Sequence, residues 1–302
     1  MFNANKVGSN LLIAICFSSI ISCVAQKAEM YKSKVFTPVN AFTSGVEGPA
    51  VDKNGIVYAV NFEKEGTIGR VSPEGKPELF VQLPEGSTGN GIRFNSKGDM
   101  FIADYTGHNI LKVDMNTKAV SVHAHEPTMS QPNDIAIDKQ DRIYASDPNW
   151  KKGTGRFWRI DTDGKVTLLD SLDAAVNGIE VSPDEKHIYI NASGGVFAYD
   201  LDSDGNVSNR RELIRFTDFG MDGMRCDIKG NIYVTRFGKG TVVKLSPEGK
   251  ILAEIPLTGK KVTNIAFGGD DGKTAFVTLM DQGNLETFRV DEPGREWQMT
   301  NR

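Results

Sequence analysis

Short apolar runs separated by polar turns recur along this chain, and no stretch sustains the period of about 3.6 residues that an amphipathic helix requires. Ile92-Arg93-Phe94, Ile135-Ala136-Ile137, Ile179-Glu180-Val181 and Ile265-Ala266-Phe267 each open a unit. Turns rich in Asp, Asn, Gly and Lys follow, as at Asp52-Lys53-Asn54-Gly55, Asn95-Ser96-Lys97-Gly98 and Asp227-Ile228-Lys229-Gly230. These are hairpin signals. The next strand carries an aromatic, as in Ile56-Val57-Tyr58-Ala59-Val60 and Ile232-Tyr233-Val234. A third strand (Ile110-Leu111-Lys112-Val113, Val242-Val243-Lys244-Leu245) and an outer strand (Glu78-Leu79-Phe80-Val81, Val166-Thr167-Leu168-Leu169) complete the unit.

An oxygen-bearing side chain stands 11 or 12 residues before each of six such aromatics. The pairs are Glu47 with Tyr58, Asn90 with Phe101, Asn133 with Tyr144, Asn177 with Tyr189, Asp222 with Tyr233 and Asn264 with Phe276. Successive aromatics are 43, 43, 45, 44 and 43 residues apart. A period of about 40–50 residues with several strands per unit is the mark of a propeller. The pattern predicts an all-β fold: a six-bladed β-propeller with four antiparallel strands per blade, forming one domain over residues 30–302. The segments before Glu47 and after Glu286 are expected to pair and close the ring.

In such a ring the first strand of each blade lines the central channel, and the six oxygen-bearing residues surround one mouth. Loops after each second strand open at the same mouth. Asn61-Phe62, Tyr105 to His108, Pro148-Asn149-Trp150, Arg236-Phe237 and Met280-Asp281 are expected to wall a pocket there. Trp150 and Arg236 are candidate substrate contacts, and Lys152 is a second possible cation from a neighbouring loop; a solvated rim charge is the alternative for either cation. Two carboxylates and four amides suit a hard divalent cation, which takes about six to eight oxygen ligands. A polar channel around ordered water is the alternative.

Composition narrows the partners. The net charge is -4, and no basic cluster points to nucleic acid or an anionic membrane. A small-molecule substrate and a monomeric state are expected. Cys226 is the one cysteine in the folded body, so no disulfide is expected within it; a small buried hydrophobe is the simplest role. Asp200, Asp202, Asp204 and Gly205 begin like an EF-hand loop, but Arg211 stands where a bidentate Glu is needed. A polar hairpin explains them better. His125 precedes Asn133 and reads as a surface imidazole that could reach the pocket, while no serine sits in a nucleophile elbow.

Lys6 is followed by an apolar run from Leu11 to Ile21 that is too short to span a bilayer and fits a signal-peptide core. Residues 1–25 are therefore expected to be an export signal. Ile20-Ile21-Ser22-Cys23 resembles a bacterial lipobox, which would make Cys23 the lipidated first residue and the protein a periplasmic or cell-envelope lipoprotein. Cleavage after Ala25 is the plainer route. A lipid anchor would be the only link to a membrane.

Glu47-Gly48-Pro49, Pro132-Asn133-Asp134, Asn177-Gly178-Ile179 and Asp222-Gly223-Met224 resemble the signature segments of the SMP-30/gluconolactonase family of regucalcin-like proteins. Tyr144 to Pro148 and Ala266-Phe267-Gly268-Gly269 are similar as well. The resemblance spans the mature chain and extends to the diisopropyl-fluorophosphatase propellers. It implies a six-bladed propeller with one divalent cation in the channel, held by Glu47, Asn133, Asn177 and Asp222. Ca2+ leads, with Mg2+, Mn2+ or Zn2+ as substitutes. It also implies a metal-dependent lactonase in which Asp222 positions or deprotonates the attacking water. The resemblance also makes Asn90 a candidate substrate contact, since it aligns with a substrate- or metal-proximal asparagine of sugar-lactonase members; two residues earlier, Thr88 stands where the regucalcin branch carries a sugar-contacting arginine, which leaves sugar specificity open. A phosphotriesterase or phosphofluoridate hydrolase on the same site and a non-enzymatic binding propeller are the alternatives.

Overall fold

The computed structural model describes residues 30–301. The expected export signal, with Cys16, Cys23 and Ala25, lies outside the described residues. Among those described, six four-stranded antiparallel sheets follow one another as blades. The innermost strands are Ala50–Val51, Gly89–Phe94, Ile135–Ile137, Val176–Val181, Met224–Cys226 and Val262–Gly268. They are buried almost throughout, as strands packed on both faces must be. The outermost strands, such as Val207–Arg215, are mostly exposed or half-buried.

The repeat has a local cause. In blade one, Asp52 Oδ1 accepts from the Asn54 and Ile56 amides at 2.9 Å each, folding the chain back on itself. Gly55 takes a φ of 79° in that turn, which a side chain would resist. The returning strand then presents Tyr58, whose hydroxyl reaches Asp52 Oδ2 at 3.2 Å. Blade three repeats the device, with Asp138 accepting from Gln140, Arg142 and the Tyr144 hydroxyl. The aromatics fill the gaps between blades: Tyr58 packs edge-on against Phe94 of the next blade, their centroids 5.5 Å apart. Tyr233 meets Phe267 in the same way at 5.1 Å.

The ring closes as expected. Lys34–Val35 adds the outer strand of blade six, pairing Lys34 with Thr287 and Val35 with Glu286. Cys226 is buried on the inner strand of blade five. Asp200 is spent on Arg211, and Asp202 folds its own turn through the Asp204 and Asn206 amides, so the EF-hand likeness is a hairpin. His125 is exposed and bonded to Asn109 at 2.7 Å, and it is not among the residues lining the cavity at the mouth.

Among the described residues, one element departs from the all-strand expectation. Arg295–Thr300 is a short helix. Its periodicity is invisible in so short a segment, and ion pairs of Arg295 with Glu180 and Glu185 and of Glu296 with Arg225, together with hydrogen bonds to the backbone, hold it in place. Arg295 Nη1 donates to the Ile137 carbonyl at 3.0 Å, and Glu296 Oε1 accepts from the Phe267 amide at 2.9 Å. Both contacts lie toward the far ends of the inner strands, so the helix stoppers the channel opposite the mouth.

Candidate active site

The inner strands of blades two, four and six share a register shift near their first residues. It falls between Gly89 and Ile92, between Val176 and Ile179, and between Val262 and Ile265. The residue just after the first pairing therefore occupies the ring position: Asn90, Asn177 and Thr263. This corrects the sixth member, which spacing alone assigned to Asn264. The Thr263 hydroxyl is spent on the Val46 carbonyl at 3.0 Å and Thr278 Oγ1 at 2.7 Å. Asn264 stands one residue deeper, where blades two and four carry Gly91 and Gly178. A Cβ at Gly223 would lie 2.0 Å from Asn264 Oδ1, so the glycine after Asp222 makes room for that amide.

The other ring residues converge. Glu47, Asn90, Asn133, Asn177 and Asp222 together line the floor of one cavity of about 530 Å3. Asn90 Oδ1, Asn133 Oδ1 and Asn177 Oδ1 are buried and make no hydrogen bond. Leaving a polar atom buried and unpaired costs about 1–3 kcal/mol. Glu47 and Asp222 are close enough to hydrogen-bond to each other, and Asn177 donates to Asp222. The Gly48 amide donates to Glu47 Oε2 at 2.7 Å. The Asp222 backbone is fixed as well, its carbonyl accepting from Gly178 at 3.1 Å and its amide donating to Thr235.

Charge at this floor is strained. Burial pushes the Glu47 carboxyl up to about 7, and Asp134 adds repulsion. Asp222 is raised well above the ordinary carboxylate range, first by burial and then by Glu47. Two buried acids beside three unpaired amide oxygens fit a divalent cation, whose charge would balance both. Among the described residues no group of three or more His, Cys, Asp or Glu gathers as a metal site, and the floor itself offers two carboxylates beside amide oxygens. The donors here are all oxygens, the preference of Ca2+, Mg2+ and Mn2+ rather than of a thiolate-bound ion.

Below the floor lies a second charged layer that pattern reading missed. Asp134 is buried between Arg93 at 3.3 Å and Arg225 at 3.4 Å. Arg225 also meets Glu296 of the terminal helix at 3.2 Å. The charged letters inside two apolar inner strands, Arg93 in Ile92-Arg93-Phe94 and Glu180 in Ile179-Glu180-Val181, were the available signal.

The walls follow expectation in part. Asn61, Tyr105, Trp150, Phe237 and Met280 line the cavity, as does Asn90. Glu65 and Met221 line it too, without any sequence signal. Arg236 does not. It is fully buried, paired with Asp218 and stacked 3.8 Å from the Phe216 centroid, so it is withheld from the cavity. Lys152 borders a separate depression with Ser130 and Arg156.

Residues 46–281 match the SMP-30/Gluconolactonase/LRE-like region. The chain belongs to this family. It is 26% identical over 285 residues to a gluconolactonase of Zymomonas mobilis, covering 81% of this chain and 79% of that one. It is 30% identical over 239 residues to a 6-deoxy-6-sulfogluconolactonase of Pseudomonas putida, covering 76% and 80%. Its fold is that of the calcium-binding protein regucalcin from Agrobacterium tumefaciens, with a TM-score of 0.73 at 21% identity over 86% of this chain and 98% of the other.

Proposed function

We propose that this member of the family is a divalent-metal-dependent hydrolase that opens lactones. One observation carries the reading: the Glu47–Asp222 carboxylate pair and three unpartnered amide oxygens form the floor of an open cavity. The two named relatives, a gluconolactonase and a sulfogluconolactonase, support the reaction class. Glu47, Asn133, Asn177 and Asp222 would hold the ion, with Asn90 beside them. When bound, the ion supplies Lewis-acid polarisation of the lactone carbonyl. An all-oxygen donor set with two acids favours Ca2+.

Asp222 is the residue assigned to the water. Its carboxylate orients the attacking water and takes one of its protons as the new carbon–oxygen bond forms. Breaking the ring carbon–oxygen bond then returns a proton to the departing alkoxide, and the product is the open hydroxy acid. Asn177, which donates to Asp222, holds that carboxylate in orientation. Asn90, on the same floor, has an amide group within the cavity for the substrate.

The test is hydrolysis of a lactone panel by the purified protein with Ca2+, Mg2+, Mn2+ or Zn2+ added singly to metal-stripped samples. Folded protein that opens no lactone with any of these ions overturns the proposal. We place the reaction in the cell envelope on the reading of residues 1–25 as an export signal. The mass of the mature N-terminus checks it, a diacylglyceryl adduct on Cys23 marking a lipoprotein.

A further inference from the structure

The cavity above the floor is charged on one side only. Among the described residues, its lining holds no Lys, Arg or His, while Glu47, Asp222 and Glu65 give it three carboxylates. A divalent ion would balance Glu47 and Asp222 and leave Glu65 in excess. Arg236, the cation expected from the loop after the second strand of blade five, is locked to Asp218 and Phe216. Thr88 at the wall supplies a hydroxyl and no charge.

Apart from Asn61, the remaining wall is largely apolar. Tyr105, Trp150, Met221, Phe237 and Met280 line it from four different blades. Trp150 is 47% exposed, an unusual state for an indole in a folded domain. Its indole and Gln131 lie beside the Tyr105 hydroxyl. The exposed ring offers a flat apolar platform at the mouth. Methionine side chains opposite such a platform adapt to varied apolar shapes.

We propose that the site selects an uncharged lactone with an apolar or aromatic face, seated on Trp150, and discriminates against lactones bearing phosphate, sulfonate or carboxylate. This rests on the lactonase reading and names its substrate class. An anionic substituent would enter a site with no cation to pair it and with Glu65 to repel it. An aryl face would replace water on the indole.

The experiment uses the full mature chain loaded with Ca2+ and three probes: glucono-1,5-lactone, its 6-phosphate and dihydrocoumarin. The expected kcat/KM for dihydrocoumarin exceeds that for the phosphorylated lactone at least about tenfold, a ratio within reach of pocket contacts. Trp150→Ala raises KM for dihydrocoumarin about tenfold with kcat nearly kept, and Trp150→Phe restores most of it. Thr88→Arg improves the phosphorylated lactone relative to the neutral one. Calorimetric titration follows binding independently of turnover and of the indole itself. Equal use of the phosphorylated lactone, or an unchanged KM in Trp150→Ala, overturns this proposal and leaves the hydrolase reading standing. Dihydrocoumarin that binds with a signal lost in Trp150→Ala, but is never opened, sinks the hydrolase reading and keeps this one. Neither binding nor turnover of any probe sinks both.

Discussion

Arg225 donates to Asn264 Oδ1 at 3.2 Å, so the amide between them joins the channel's buried charge to the site floor. Asn264 Oδ1 also accepts from the Ile265 amide at 2.9 Å. With the oxygen occupied, the Asn264 amide nitrogen is the donor that holds Glu47. Supporting groups of this kind orient a ligand without touching the ion.

Asn264→Ala removes that donor and leaves Arg225 one acceptor short. The expected result is a cation affinity weakened about tenfold, at the lower edge of what loss of an orienting partner costs. Calorimetric titration of the metal-stripped variant with Ca2+ measures it. Unchanged affinity would mean that the Gly48 amide alone suffices to hold Glu47.

Protons and cations compete at the floor. Glu47 is raised to about 7 and Asp222 is raised well above its ordinary value, so in the metal-free fold both hold their protons to higher pH than ordinary carboxyls. Carboxyls raised on folding stabilise the fold fully at pH below their unfolded values of about 4, and that contribution fades as pH rises through the folded value. Metal-free protein should therefore lose thermal stability as pH climbs from about 5 to 8. Added Ca2+ should restore more stability at pH 8 than at pH 5. Calorimetry at pH 6 in buffers of different ionisation enthalpy should show proton release on Ca2+ binding. Binding with no proton exchange at that pH would contradict the raised values.

Asp222→Asn keeps the side-chain shape and removes the charge that receives the proton. We expect an intact fold by circular dichroism and a kcat reduced about a hundredfold or more, the usual scale for losing a general base. A variant retaining full rate would strip Asp222 of its assigned role.

Glu296→Ala tests the stopper. The change leaves Arg225, fully buried, with Asp134 as its remaining carboxylate partner. Breaking a buried pair on one side costs about 3 kcal/mol. Denaturant melts should register a loss near that size. Glu296→Gln should recover part of it, because an amide oxygen can still accept from the Phe267 amide. No change in either variant would show that the terminal helix carries no weight.

Blade number, strand order and the ring of floor residues were readable in the chain because their causes are local. An Asx turn, a glycine at positive φ and an aromatic returning to the same aspartate fit within one hairpin, and each copy leaves its own trace. Glu47, Asn133, Asn177 and Asp222 inherit their places from that repeat. Asn264 against Thr263 was another matter, since a one-residue difference in where the strand shifts register decides which side chain reaches the ring. Arg236 looked available until Asp218, 18 residues earlier, was found to hold it.

The Glu47–Asp222 contact, the Asp134–Arg225–Glu296 layer and the cation-free wall exist only after the ring closes. They join residues from blades far apart in the chain and from the terminal helix, at separations where no short-range pattern operates. Repetition along the chain specifies a propeller because each blade folds by neighbouring contacts. The chemistry of its axis is set by what six separate blades bring to one point, and only their packing around that axis fixes it.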